Sequence, residues 1–94
     1  LVIADPKTEE RIVRLSETNL GDLCADAYRA MSGADIAFVN GGGVRSTIKA
    51  GDITYGDIIK VHPFGNNMCM VEATGEEIYE ALEMSANALP SEYG

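Results

Sequence analysis

Three consecutive glycines, set directly behind a short apolar run, constrain this chain more than any other feature. Ile36-Ala37-Phe38-Val39 is too short for a helix and does not alternate, so it predicts a strand buried on both faces. It breaks off into Asn40-Gly41-Gly42-Gly43-Val44-Arg45. Glycines remove every Cβ from the loop, so a ligand could lie against the backbone and take its N–H groups as donors. Arg45 adds a planar, permanently charged fork, and Asn40 offers both a donor and an acceptor. Ligand sites of open α/β sheets gather at this carboxyl end of a strand. The same residues also fit a tight surface turn with a solvated Arg45. The loop is neither a Walker loop nor a dinucleotide fingerprint, since it lacks Gly-Lys-Ser/Thr and G-x-G-x-x-G.

Around this loop, strand-like and helix-like stretches alternate. Leu1–Ala4 reads as a strand stopped by Asp5-Pro6, and Ile12–Leu15 resumes an extended pattern. Leu20, Leu23, Cys24, Ala27 and Met31 then recur at helical spacing, with Thr18 or Asn19 to cap the start and Gly33 placed for a left-handed end. Thr54 with Asp57 can cap one or two helical turns through Lys60. Met68–Ala73 reads as a strand, and Thr74-Gly75-Glu76-Glu77 matches the capping box of a last helix through Ile78, Ala81, Leu82 and Ser85. The predicted class is α+β (mixed α/β), a mixed sheet flanked by helices. One domain fits 94 residues, and the opening Leu1 without Met reads as a piece cut from a longer protein.

Charge narrows the function. Fifteen acids against seven Lys plus Arg give a net charge of −8, so no basic face for nucleic acid can be assembled. A phosphorylated ligand would have to be held locally, by one or two of Arg11, Arg14, Arg29 and Arg45 with backbone N–H groups. No apolar run approaches the ~20 residues of a membrane span. Cys24 on the helix stripe and Cys69 in an apolar strand read as buried free thiols, and their pairing in an exported protein stays open.

A second candidate is His62-Pro63-Phe64-Gly65-Asn66, where Pro63 and Gly65 hold a turn. Phe64 at its tip is either a stacking platform for a base or an inward-folded anchor. His62, the one histidine, reads as a surface residue. Arg14 reads as either a ligand contact or a surface Arg paired with an acid, and Glu17 as helping to order the helix start. No catalytic triad or metal-ligand spacing appears, so the chain is expected not to hydrolyse anything by itself.

Taken in order, these blocks resemble one family. Arg14–Leu23, Gly33–Ala37, Asn40–Arg45, Gly51–Ile58, Pro63–Asn66 and Thr74–Glu77 are similar to the carboxyl-terminal domain of 5′-nucleotidases and UDP-sugar hydrolases. The resemblance implies the first part of that domain's fold. It implies a nucleotide-binding, substrate-specificity role in a metal-dependent hydrolase that converts nucleotides to nucleoside and phosphate. Two divalent metal ions would sit in a separate amino-terminal metallophosphoesterase domain, and rotation between the domains would carry substrate to them. No cofactor or metal is expected in this chain. Arg14, Asn40 and Arg45 would contact the ribose or terminal groups, Gly42 and Gly43 would let substrate approach the backbone, and Phe64 would give one face of a base-stacking clamp. The second stacking aromatic would lie beyond Gly94, and an incomplete sheet could pair with another chain. The parent would be extracellular, periplasmic or attached to the cell envelope. A 2′,3′-cyclic-nucleotide or UDP-sugar substrate, or a structural or oligomerisation module, are the alternatives.

Overall fold

The computed structural model describes Leu1 and residues 12–89. Three α-helices and one 3-10 turn follow in chain order: α1 (Asn19–Ser32), the turn Gly41–Gly43, α2 (Tyr55–Val61) and α3 (Gly75–Asn87). Each helix starts where a hydroxyl can satisfy an otherwise orphaned N–H. The Thr18 hydroxyl accepts from the Gly21 N–H at 3.1 Å. Thr54 and Asp57 form a reciprocal box: the Thr54 N–H donates to Asp57 Oδ2 at 2.9 Å, and the Asp57 N–H to Thr54 Oγ1 at 3.2 Å. Thr74 and Glu77 repeat it for α3, each N–H donating to the other's side chain at 3.2 Å. Gly33 ends α1 at φ 72°, a left-handed conformation that costs a residue with a Cβ about 1–2 kcal/mol.

The sequence expectation of a mixed sheet flanked by helices is overturned: among the described residues there is no strand. Ile36–Val39 and Met68–Ala73 run without regular structure and form no ladder. Apolar runs of this kind predict an extended backbone, but a strand also needs a neighbour to take its N–H and C=O groups. Ile12–Leu15 is a turn, closed by Leu15 and Ser16 N–H groups on the Ile12 carbonyl at 2.8 and 3.0 Å. Four residues are too few for alternation to separate a strand from a turn. Of the Leu1–Ala4 strand, Val2–Ala4 lie outside the described residues. Leu1 and Ile48 exchange both main-chain hydrogen bonds, at 3.0 and 2.9 Å.

The core is small and lies to one side. Val13, Leu20, Cys24, Val44, Ile48 and Val61 form it, with Val39 packed against it. Leu20 and Val44 are the most enclosed, at 1% and 0% exposure. The helical stripe on α1 therefore buries only its first turns, for Leu23 is about half exposed and Met31 is 79% exposed. Helix α3 buries no residue, although its start is capped. Cys69, expected inside a strand, is exposed, while Cys24 is buried, and both are free thiols. No helix among the described residues is long and apolar enough to cross a membrane.

Two outcomes test this packing. Leu20→Ala should cost about 2–5 kcal/mol in urea unfolding and Met31→Ala within about 0.5, because one empties a core and the other trims a solvated side chain. For Asp57, hydrogen bonds from the Thr54 backbone and side chain hold the carboxyl below its ordinary value of 3.8. A depressed folded value means the α2 box is intact above 3.8 and is lost as pH falls through that lower value. The Thr54 amide shift should therefore titrate with a midpoint below 3.8, and Asp57→Asn should abolish that titration.

Candidate functional site

The glycine turn owes its shape to the room it leaves, not to unusual dihedrals. Positive φ angles occur at Gly33 and Gly51, not in the triplet. A Cβ built on Gly41 would lie 2.6 Å from the Val13 carbonyl oxygen and 3.4 Å from Arg14 Cα. No real Cβ tolerates that approach to a carbonyl, so Gly41 lets the Ile12–Leu15 turn dock on the loop. A Cβ on Gly42 would lie 2.7 Å from Arg14 Cζ, which places the guanidinium directly over this residue. Gly43 is different, with open space where its Cβ would be.

Asn40 fastens the start of the turn. Its Oδ1 accepts from the Gly42 N–H at 3.1 Å, and its carbonyl accepts from the Gly43 N–H at 2.8 Å. Two of the donors expected to meet a ligand are thus engaged inside the loop. Arg45 closes the far end. Its N–H donates to the Val61 carbonyl at 2.9 Å, and its Nη1 donates to the Gly42 carbonyl at 3.3 Å. The same guanidinium stands 5.9 Å from the centroid of the Phe64 ring, at the outer limit of a cation–π contact. Phe64 is half exposed.

A cleft of about 540 Å³ opens beside this cluster. That volume lies within the ~300–1,000 Å³ typical of small-molecule sites. Asn40, Gly43 and Phe64 line it, with Tyr28 and His62. Arg14, Gly42 and Arg45 are not among the described lining residues. All six residues expected from the sequence therefore meet around one turn, and three of them face the cleft. None of the described lining residues is an Asp or Glu, although the chain carries fifteen acids. An anion entering here meets no carboxylate on the wall.

Sequence reasoning missed Tyr28 and misplaced His62. His62 is half-buried, with Nε2 3.2 Å from Cys24 Sγ and 3.5 Å from the Tyr28 hydroxyl. Four-residue spacing on α1 could have joined Cys24 to Tyr28, but nothing local links either to residue 62. At the start of α1, Asp22 raises the Glu17 carboxyl above its ordinary value through a side-chain hydrogen bond and like charge. Glu17 thus faces a like charge at the helix start it was expected to help order.

Residues 2–93 match the family described as 5′-nucleotidase, C-terminal domain. The chain belongs to that family. It is 45% identical over 78 residues to a 5′-nucleotidase of Vibrio cholerae, covering 83% of this chain and 14% of that protein. It is 47% identical over 75 residues to protein UshA of Yersinia enterocolitica, covering 80% and 14%. The trifunctional nucleotide phosphoesterase protein YfkN of Bacillus subtilis is 49% identical over 75 residues, covering 76% of this chain and 5% of that protein. The chain thus spans a small part of these relatives, at most 14% of their length. No solved structure matches it.

The glycines separate by substitution. Gly41→Ala should destabilise the fold by about 1–3 kcal/mol, because the clash is with backbone. Gly42→Ala should displace the Arg14 side chain at smaller cost. Gly43→Ala should leave stability nearly unchanged and perturb only what enters the cleft. Unfolding curves for the three variants check the order.

Proposed function

We propose that this chain is the nucleotide-recognition part of a 5′-nucleotidase-type hydrolase, gripping the nucleoside while hydrolysis proceeds in a separate amino-terminal domain. The observation that supports it most is Phe64. Pro63 and Gly65 flank a half-exposed ring at a cleft of nucleoside size, with the Arg45 cation near it. A base stacks on the free face of such a ring, and aromatic–base stacking elsewhere contributes about 1–3 kcal/mol. Asn40 and Gly43 stand on the cleft wall for ribose contacts. Arg14 and Arg45 supply positive charge for the ribose or terminal groups.

The reading places two divalent metal ions, and the water they would activate, in the other domain. On this reading the hydrolytic step belongs to that domain and not to this chain. Its contribution is affinity and choice of base. The parent is read as an exported or envelope-associated enzyme of nucleotide breakdown. A second reading, association with another chain, has its own observation. Phe38, Met70 and Val71 are exposed on segments that form no ladder, a surface that could be covered by a further strand.

A two-dimensional amide NMR titration with AMP, without metal, tests the first reading. Shifts should gather at Asn40–Arg45, Arg14 and the Phe64 loop, and Phe64→Ala should weaken binding by about 1–3 kcal/mol. A spectrum that ignores millimolar AMP, or an undiminished affinity in Phe64→Ala, would sink it. UDP-glucose and a 2′,3′-cyclic nucleotide in parallel distinguish the substrate classes.

A further inference from the structure

His62 joins three parts of the molecule that are far apart in sequence. Its backbone N–H caps α2 on the Ile58 carbonyl at 3.1 Å. Pro63 disfavours the helical conformation for the residue before it, and His62 sits at φ −123°, ψ 73°. The chain must turn out of α2 here, and the side chain is carried toward α1. There the imidazole meets Cys24 Sγ at 3.2 Å and the Tyr28 hydroxyl at 3.5 Å, and the Tyr28 ring lies 5.9 Å away at a 32° tilt.

Burial pushes the Cys24 thiol above its ordinary value. Burial, and then the neighbouring Cys24, push the Tyr28 phenol up as well. Both groups keep their protons at neutral pH, and each can donate or accept. Nε2 is the imidazole atom that meets both, the thiol at the shorter distance, with donor and acceptor set by the tautomer.

Phe64 is two residues further on, a reach of at most about 7 Å. The residue before His62 is Val61, whose carbonyl receives the Arg45 N–H. The Phe64 loop thus leaves α2 between two fixed points, one on the glycine-loop side and one on α1. We propose that His62 is a positioning residue for the cleft, holding the Pro63–Phe64 loop against Cys24 and Tyr28 of α1 so that the Phe64 ring stands beside Arg45 with its free face to the ligand. This rests on the nucleotide-recognition reading for its consequence in binding, but its structural claim stands without ligand.

The test compares the full chain with His62→Ala, His62→Gln and Tyr28→Phe, with and without AMP. Without ligand, His62→Ala should move the Phe64 ring and Arg45 amide signals while α3 signals stay in place. With AMP, its Kd should rise about tenfold and its thermal midpoint should stay within a few degrees of the parent chain. His62→Gln keeps a polar side chain that can donate to or accept from Cys24 and Tyr28, and should recover most of that affinity. Unmoved Phe64 signals in ligand-free His62→Ala would overturn the proposal. So would an unchanged Kd beside a parent chain that binds AMP. If the parent chain ignores AMP, the nucleotide reading fails, while the ligand-free signals still decide the positioning claim. If His62→Ala unfolds, Tyr28→Phe decides: removing one hydroxyl should move the Phe64 signals part of the way, and no movement would overturn the proposal.

Discussion

At Gly41 two stretches of backbone come so close that a Cβ would fall 2.6 Å from the Val13 carbonyl oxygen. Much of the site hangs on that contact. Because residue 41 has no side chain, the Ile12–Leu15 turn can lie on the glycine loop. Val13 is thereby carried into the core beside Leu20 and Val44. Its neighbour Arg14 is carried over Gly42 in the same movement. One absent methyl group thus fixes both a core residue and a cation, since the two are adjacent in the chain. Val44 and Arg45 repeat the device on the other side of the turn. One is fully buried, while the next places a guanidinium on the Gly42 carbonyl.

Charge is distributed to suit this arrangement. A chain of net −8 would oppose a nucleotide if its acids bordered the cleft. Several are used instead as local structural groups. Asp57 and Glu77 close the boxes of α2 and α3, where a carboxylate also faces the positive end of the helix dipole. The described cleft wall is apolar and amide-bearing, with Phe64, Asn40 and Gly43, and the Arg45 guanidinium stands beside Phe64. Discrimination by such a wall comes from stacking and a few hydrogen bonds, not from the net charge of the domain.

What the sequence made legible divides along the range of the interactions. Thr18, Thr54 and Thr74 were readable as caps, and Gly33 as a left-handed end, because each is settled within four residues. The six candidate site residues were named from residue chemistry and family resemblance, and they meet at one turn. What they do there is a separate question: the Gly42 and Gly43 donors are engaged by Asn40, and Arg14 is not among the described lining residues of the cleft. The His62 contacts were not legible, as their partners lie 34 and 38 residues away.

The errors follow the same line. A helix satisfies its own hydrogen bonds, so periodicity and a cap are enough to predict it, and α3 is helical without burying a single residue. A strand satisfies none of its own, so an apolar run such as Met68–Ala73 predicts exposure of backbone as much as it predicts a sheet. Among the described residues these runs form no ladder, and the side chains of Met68–Ala73, Cys69 included, stay in solvent. The burial of α1 obeys the partner rule too. Leu20 and Cys24 are buried because Val13, Val44 and Val61 meet them. Met31 has the right spacing on the same helix, yet it lies beyond that cluster and is exposed. Spacing names the face of a helix; only a neighbour makes that face a core.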